Sequence, residues 1–257
     1  MCRIAGYLGA PTTLDALLSA PPHSLRSQGH SPRELPPGKI GSDGYGVAWY
    51  TSPPREPARY RQTLPIWVDD NLETLAPHVS SHCFVAGTRT ATPEMPVAIT
   101  NTPPFLAGRT ALVHNGSIDL FHERVVEPMR AMFSAATRVA LRGNSDSEYL
   151  AALLGEIEGP SLEARVKTLL ERVGQLVRET RTEAQLNLIV IDGHQLVAVR
   201  HALGADAPTL YSTTRTDGSV VVSSEPMSAQ EDWTRFASDT MLTVQRGAPS
   251  TLTRLPD

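Results

Sequence analysis

The sequence predicts an α+β protein built from mostly antiparallel sheets. Short apolar segments typical of strands fill the first half of the chain. Helical patterns then occupy residues 119–182, and strand patterns return over residues 185–245, where Asp192-Gly193 and Thr216-Asp217-Gly218 are typical of hairpin turns. Strands joined by tight turns pair antiparallel, and no repeat or linker divides the chain, so we expect one domain over residues 1–257.

In the first half, strands alternate with loops and short helices. The predicted strands are residues 3–8, 45–50, 60–67, 83–88 and 109–113, with 60–67 pairing to 45–50. Short helices are predicted at residues 14–18 and 70–78. Residues 20–44 are rich in Pro, Ser, Gly and His and predict a long surface loop. Asn115-Gly116 predicts a tight turn with positive φ after the last of these strands.

In the second half, helices precede strands. Residues 119–140 are predicted to be largely helical, and a second helix covers 148–157 with Ser145 or Asp146 as its N-cap. Residues 161–182 place apolar side chains at helical spacing, which predicts a long amphipathic helix. The remaining predicted strands are residues 185–191, 195–200, 210–212, 219–224 and 241–245.

Composition excludes several classes of function. The chain has 257 residues, 40% of them hydrophobic and 19% charged, with a net charge of −4, so it reads as a globular protein without the basic stripe that nucleic acid requires. It lacks a signal-peptide pattern and the ~20 consecutive apolar residues of a membrane span. Two cysteines make no disulfide framework, and we expect a cytoplasmic protein.

A metal site or bound cofactor has little support in the sequence. His78, His82 and Cys83 have i, i+4, i+5 spacing, but no Glu follows His78 and no fourth ligand is evident. A helix end running into a strand explains this spacing better. No phosphate-binding loop or dinucleotide fingerprint occurs, so we expect no metal and no cofactor.

Cys2 is the strongest candidate nucleophile. If Met1 is removed, the Cys2 thiol and a free α-amine lie on one residue, which is a nucleophile with its own base. Reference pKa values of ~8.5 for a thiol and ~7.7–8.0 for an α-amine allow a proton to move between them near neutral pH. Taken alone, Cys2 also fits a small buried residue at the start of a strand.

Five segments, in order, place Cys2 in a family context. They are Cys2-Arg3-Ile4-Ala5-Gly6, Asp43-Gly44-Tyr45-Gly46-Val47-Ala48-Trp49, Thr88-Arg89-Thr90-Ala91-Thr92, His114-Asn115-Gly116-Ser117-Ile118 and Ser145-Asp146-Ser147-Glu148. Together they resemble the class II, N-terminal-nucleophile type of glutamine amidotransferase domain. The resemblance implies a four-layer αββα sandwich in which helices flank two mostly antiparallel sheets.

The resemblance also implies a reaction. Cys2 attacks the γ-carbonyl of a glutamine-like substrate, its amine takes the thiol proton directly or through water, and water later hydrolyses a γ-glutamyl thioester. The Asn115 side-chain amide and the Gly116 backbone N–H would form the oxyanion hole, in which one donor contributes about 2.7–4 kcal/mol. Without this context, Asn115-Gly116 is simply a hairpin turn.

Two charged residues are implied to bind the amino-acid head group. Arg89 ends an apolar strand before Thr90, and its planar fork suits the substrate α-carboxylate. Asp146 is the implied partner of the α-ammonium group, and Thr90 is assigned to the same binding group. A solvated arginine and a helix N-cap are the alternatives for Arg89 and Asp146.

Three further residues are assigned to the substrate-binding region. Asp43-Gly44 resembles the turn beside the family's nucleophile, where glycine allows close backbone approach. His114 lies next to the proposed oxyanion hole and is either a supporting residue or a structural histidine.

Among free-standing members of the family, the chain is most similar to the γ-glutamyl-hercynylcysteine sulfoxide amidohydrolases of ergothioneine biosynthesis. The shared segments are Met1-Cys2-Arg3, residues 21–24, residues 43–50, Pro104-Phe105 and residues 144–148. Ile4 stands where that group usually has His, and residues 25–40 lack its Trp-containing stretch. That loop is a candidate wall for the leaving group.

The expected partner is therefore a small-molecule γ-glutamyl substrate. Two alternatives remain open at this point: a glutaminase subunit that feeds ammonia to a separate synthase, and a non-catalytic binding protein on the same fold. The sequence leaves open whether the chain forms a homo-oligomer or serves an ammonia-accepting partner.

Overall fold

A computed structural model describes residues 2–35, 39–51, 56–92 and 95–256. The strands are β1 (Arg3–Thr13), β2 (Tyr45–Trp49), β3 (Ala58–Gln62), β4 (Ser80–Thr88), β5 (Phe105–Ala107), β6 (Thr110–Ile118), β7 (Ala184–Ile191), β8 (Gln195–Leu203), β9 (Tyr211–Thr214), β10 (Val220–Ser223), β11 (Thr234–Arg235), β12 (Thr240–Gln245) and β13 (Thr251–Arg254). The helices are α1 (Asp15–Leu18), α2 (Leu25–His30), α3 (Asp70–Leu75), α4 (Val126–Ala131), α5 (Ala135–Ala140), α6 (Asp146–Gly155) and α7 (Leu162–Thr180).

The strands form two antiparallel sheets. One has seven strands in the order β11-β9-β10-β1-β4-β2-β3, and the other has six in the order β13-β12-β8-β7-β6-β5. β1 lies inside the first sheet, between β10 and β4. The predicted hairpins β7–β8 and β9–β10 are confirmed. β3 pairs with β2 as expected, but the strand predicted to reach residue 67 ends at Gln62.

Alternation along the strands divides the apolar side chains between layers. In β1, Ile4 and Leu8 face the core between the two sheets, whereas Ala5 and Tyr7 face the outer layer. That outer layer holds α1, α2 and α3. The opposite face of the six-stranded sheet packs against α4, α6 and α7. The order is therefore helices, sheet, sheet, helices, which confirms the predicted α+β class and its four layers.

The predicted surface loop at residues 20–44 is wrong in part, because α2 lies within it. Ser24 caps this helix by accepting a hydrogen bond from the Ser27 backbone N–H. Leu25 and Gly29 are buried against the seven-stranded sheet. A six-residue helix is too short for its periodicity to be recognised among prolines and glycines.

The predicted turn at Asn115-Gly116 is also wrong. Both residues lie within β6, opposite Asn187 and Leu186 of β7, and neither has positive φ. A Cβ atom at Gly116 would lie 2.0 Å from the carbonyl oxygen of Gln185. This glycine therefore serves a close approach of two strands rather than a turn.

The region predicted to be largely helical, residues 119–140, is helical in the structure but consists of several separate helices. A π-helical turn, Phe121–Val125, leads into α4, and α5 follows after residues 132–134. Ser145 caps α6 through the Glu148 backbone N–H, and Ser161 caps α7 through Ala164. The short strands β5, β11 and β13 were not predicted. Within the described ranges, no helix combines the length and apolar character needed to cross a membrane.

The start of β1 is held by a buried ionic network. The Arg3 guanidinium donates to the Cys2 carbonyl oxygen (2.8 Å) and to the Glu225 carboxylate (3.0 Å). The Glu225 carboxylate also accepts hydrogen bonds from His23 (2.7 Å) and from the backbone N–H groups of residues 33–34. Arg3 and Glu225 are both fully buried, so each charge depends on the other for compensation.

We expect Glu225→Gln to lower the free energy of unfolding by about 3–5 kcal/mol, because it leaves the Arg3 charge buried without its partner. The measurement is urea unfolding of wild type and variant. Glu231→Gln is the matched control, since it removes one member of the partly exposed Arg215–Glu231 pair and should cost less than about 1 kcal/mol.

The difference between wild type and Glu225→Gln should depend on pH. Burial opposes ionisation of Glu225, but hydrogen bonds from His23 and the backbone outweigh it and hold the pKa of the carboxyl below its usual range. The stabilisation should be complete above the usual glutamate pKa of ~4.3 and be lost as the pH falls through the lower folded-state value. A difference that stays constant down to pH ~2 would contradict this account.

Candidate active site

Sheet register brings Cys2 next to Arg89. Arg3 of β1 lies opposite Thr88 of β4, so the residue before Arg3 and the residue after Thr88 meet at the same edge of the sheet. Neither residue could be placed beside the other from the sequence alone, because 86 residues of intervening chain separate Cys2 from Arg89.

A cavity of about 330 Å³ opens at this edge. Six of the nine residues selected from the sequence line it, and these are Cys2, Arg89, Thr90, His114, Gly116 and Asp146. Asn115 is fully buried next to Gly116, while Asp43 and Gly44 form hydrogen bonds with the Arg89 backbone. The structure therefore brings together the residue before β1, the residues after β4, part of β6 and the start of α6.

Cys2 and Cys83 occupy contrasting environments. Cys2 is half-buried and faces the cavity. Cys83 is fully buried between the sheets, where burial raises the pKa of its thiol far above the ordinary value. A thiol needs its thiolate form to act as a nucleophile. Cys2 is therefore the cysteine able to perform nucleophilic chemistry here.

Arg89 is buried but retains unused donors. One terminal nitrogen, Nη1, donates to the Pro96 carbonyl oxygen (3.1 Å), whereas Nη2 is buried with no partner among the described residues. Burial lowers the pKa of the Arg89 guanidinium. Three neighbouring groups act in the opposite direction, and these are Cys2, Asp43 and Asp146. An arginine stays protonated in proteins, so Arg89 presents a partly unmatched cation to the cavity.

Asp43 and Gly44 fix the segment that carries Arg89. The Asp43 N–H donates to the Arg89 carbonyl oxygen (2.9 Å), and the Arg89 N–H donates to the Gly44 carbonyl oxygen (2.7 Å). The Asp43 carboxylate accepts a hydrogen bond from the Ala91 N–H (2.7 Å). Gly44 has φ 119°, a conformation that strongly favours glycine. These contacts hold the backbone that carries Arg89.

Asn115 and Gly116 lie side by side where β6 passes the cavity. Asn115 is fully buried, and both polar atoms of its side chain lack a partner among the described residues. An unsatisfied buried amide costs about 1–3 kcal/mol, so it marks either a strained position or one completed by a ligand. Strand alternation points Asn115 toward the gap between the sheets, as it does Val113.

Asp146 is anchored rather than free to rotate. One carboxylate oxygen accepts from the Ile118 backbone N–H (3.0 Å), and the other accepts from the Ser147 backbone N–H (2.7 Å). Because Ser145 provides the N-cap of α6, the alternative reading of Asp146 as that cap is excluded. The carboxylate is 6% exposed and lines the cavity in a fixed orientation.

His114 lines the cavity, but its ring nitrogens are both used by the protein. Nε2 contacts the Gln185 carbonyl oxygen (2.8 Å), and Nδ1 contacts the Ser147 hydroxyl (2.9 Å). Ser147 also contacts Asp146 (3.1 Å), so His114 supports the start of α6. Thr90 donates to the Ile40 carbonyl oxygen (2.7 Å) at the cavity entrance.

The far wall of the cavity was not predicted. It consists of residues 119–123, where Leu120 has φ 47° and introduces the π-helical turn. The described part of residues 25–40, expected to wall the leaving group, contributes no lining residue. α2 instead packs against the outer face of the seven-stranded sheet. No sequence pattern distinguishes a π-helical turn from an ordinary helix start, so the sequence did not indicate that residues 119–123 line the cavity.

A second feature missed in the sequence is the Asn101–Asn144 pair. The Asn101 amide donates to the Asn144 side-chain oxygen (2.8 Å), and the Asn144 backbone N–H donates back to Asn101 (2.9 Å). Asn101 also lines the cavity, and the pair fixes the residues that precede α6.

The metal-like spacing at residues 78–83 has a structural explanation. His78, in the turn after α3, contacts the carbonyl oxygen of Thr74 within that helix, and His82 contacts that of Gly193. Over the described portions of the chain, no group of three or more His, Cys, Asp or Glu side chains could hold a metal ion.

Known proteins are similar in sequence to this one over most of the chain. The family model for glutamine amidotransferases of class II matches residues 28–215. The γ-glutamyl-hercynylcysteine sulfoxide hydrolase of Mycobacterium tuberculosis is 34% identical over 91% of this chain and 88% of the relative. Its counterpart from Mycolicibacterium smegmatis is 32% identical over 91% of both chains.

Among solved structures, a glutamine aminotransferase class-II domain protein from Silicibacter pomeroyi superposes with a TM-score of 0.71. It is 24% identical and the match covers 99% of this chain and 100% of that one, so it supports the fold alone. The family model covers β4, β6 and the start of α6, which contribute to the cavity. This chain belongs to the class II glutamine amidotransferase family.

Proposed function

We propose that this protein hydrolyses the γ-glutamyl amide bond of γ-glutamyl-hercynylcysteine sulfoxide in ergothioneine biosynthesis. The products would be glutamate and hercynylcysteine sulfoxide. The observation that carries the proposal is the convergence of Cys2, Arg89, Gly116 and Asp146 on one cavity of about 330 Å³. The identity of the substrate is inferred from two relatives that are named for hydrolysis of this sulfoxide and are 32–34% identical over 91% of the chain.

Arg89 and Asp146 would bind the glutamyl head group. The partnerless Nη2 of Arg89 supports a carboxylate ligand, because a guanidinium binds a carboxylate through two parallel hydrogen bonds. The anchored Asp146 carboxylate supplies a fixed negative charge for the α-ammonium group. Together they would admit γ-glutamyl compounds and disfavour ordinary peptides, which lack a free head group.

Acylation would begin at Cys2. After Met1 is removed, the α-amine accepts the thiol proton and the sulfur attacks the γ-carbonyl carbon. The Asn115 amide and the Gly116 N–H would stabilise the resulting oxyanion. When the C–N bond breaks, the ammonium group returns its proton to the departing amine, which leaves a γ-glutamyl thioester on Cys2.

Deacylation would use the same groups. The free α-amine deprotonates a water molecule, which attacks the thioester carbon, and the sulfur leaves as the thiol once the proton is returned. Glutamate is released and the enzyme is restored. The sulfoxide remains unchanged on the leaving amine, so the reaction needs no oxidant or reductant.

We expect Cys2→Ala to reduce hydrolysis by at least roughly a thousandfold, because the nucleophile is lost. An N-terminal extension that prevents exposure of the Cys2 amine should have a similar effect, since it removes the base. The measurement is glutamate release by the purified proteins, with mass spectrometry to establish the N-terminus of each.

Cys83→Ala is the matched control and should retain activity, because Cys83 is buried away from the cavity. Full hydrolysis by Cys2→Ala would contradict the mechanism. Full hydrolysis by the N-terminally extended form would contradict only the role proposed for the α-amine.

For Arg89→Lys, we expect KM for the γ-glutamyl substrate to rise roughly tenfold or more, because lysine cannot form the bidentate contact. The matched control is Arg138→Lys on α5, an exposed arginine outside the cavity. An unchanged KM in Arg89→Lys would show that Arg89 does not bind the substrate.

The substrate is tested by comparing kcat/KM for γ-glutamyl-hercynylcysteine sulfoxide and for glutamine. We expect the sulfoxide to be preferred by roughly tenfold or more, a difference of about 1.4 kcal/mol or more in transition-state binding. A preference for glutamine would instead favour the alternative of a glutaminase subunit that supplies ammonia to a partner.

A further inference from the structure

A second, larger cavity lies on the other side of the wall formed by Phe105. Its volume is about 650 Å³, and it lies between the edge strands β3 and β5 and the helices α5 and α6. Five arginines line it, and these are Arg59, Arg61, Arg109, Arg142 and Arg165. Glu148 is the one carboxylate among the lining residues. Such a concentration of cations is unexpected in a chain with a net charge of −4.

Two of these arginines are fixed by the sheet. Arg59 and Arg61 are two residues apart in β3, so both side chains project from the same face of the strand. Arg59 donates to the Pro104 carbonyl oxygen (3.1 Å), and Arg61 donates to that of Thr102 (2.9 Å). Burial, together with the neighbouring Arg59 charge, lowers the pKa of Arg61 to about 10.

The protein offsets this positive charge only in part, through the Glu148 charge near Arg59 and Arg61. Within the described ranges, none of the five guanidinium groups forms an ion pair with an Asp or Glu side chain. Both carboxylate oxygens of Glu148 accept backbone hydrogen bonds instead, from Arg142 (2.9 Å) and Gly143 (2.8 Å). Arg165 donates to carbonyl oxygens at the end of α6.

Arg109 and Arg142 are the least constrained members of the cluster. Neither side chain makes a hydrogen bond to another described residue. Five cations that share one cavity with a single carboxylate repel each other, and an anion that enters the cavity reduces this repulsion. Arginine in particular suits carboxylate and phosphate groups, because its fork matches their geometry.

We propose that this arginine cavity binds a small molecule carrying two or more carboxylate or phosphate groups. A volume of about 650 Å³ lies in the range typical of small-molecule sites. The cluster is concave and local rather than a stripe along the surface, which disfavours a nucleic acid as the ligand. The site is distinct from the proposed active site, since Cys2, Arg89 and Asp146 do not line it.

The proposal is tested by calorimetric titration of the full chain with inorganic pyrophosphate, citrate and acetate at constant ionic strength. We expect saturable binding of pyrophosphate, citrate or both with one site per chain, and much weaker binding of the single-charged acetate. Tighter binding of pyrophosphate than of citrate would indicate a phosphate ligand, and tighter binding of citrate would indicate a polycarboxylate.

The double variant Arg109→Gln/Arg142→Gln should weaken this binding roughly tenfold or more, because two unpaired cations are lost. These side chains make no hydrogen bond to other described residues, so the variant should keep the wild-type melting temperature. Arg138→Gln on α5 is the matched control, an exposed arginine outside the cavity, and should bind like the wild type.

Arg89→Gln separates the two cavities. Binding of pyrophosphate or citrate should survive this variant, because Arg89 belongs to the other cavity. Absence of saturable binding by the wild type, unchanged binding in the double variant, or loss of binding in Arg89→Gln alone would each overturn the proposal. None of these measurements depends on hydrolysis, so the proposal can fail while the proposed function stands.

Discussion

The position of Cys2 depends on the buried ion pair between Arg3 and Glu225. Cys2 precedes β1, and the first residues of a chain are usually poorly ordered unless other contacts hold them. Here Arg3 joins the Cys2 carbonyl oxygen to a carboxylate that follows β10, while β4 pairs on the other side. The ionic network therefore holds in place the residue that carries the proposed nucleophile. A buried charge pair is costly, and the position it secures is a reason to retain it.

The second constraint is close packing where β6 passes the cavity. Gly116 lies so near Gln185 that no side chain fits, and its backbone consequently reaches the cavity directly. Asn115 points between the sheets with its amide unsatisfied. On the helical side, the Ile118 N–H fixes Asp146. One strand thus supports both the proposed oxyanion hole and the proposed ammonium site, and β4 with its turn supports the carboxylate site.

Much of this arrangement could be predicted, but only where local chemistry is specific. Strand patterns and hairpin turns indicated the two sheets, and motif order indicated the six residues that now line the cavity. Asn115-Gly116 was misread as a turn because Asn-Gly has the same local signature whether it bends or permits a close strand approach. The network around Glu225 and the arginine cavity could not be predicted, since each joins residues far apart in sequence through side-chain packing.

The central claim is that Cys2, as a mature N-terminus, carries a γ-glutamyl thioester. The most direct measurement is acid quenching of the enzyme during turnover of γ-glutamyl-hercynylcysteine sulfoxide, followed by intact-protein mass spectrometry with fragmentation. The account predicts a mass increase equal to one glutamyl residue, located on Cys2 of chains that lack Met1. Rapid hydrolysis with no such adduct in a quench that traps thioesters, or an adduct on another residue, would contradict it.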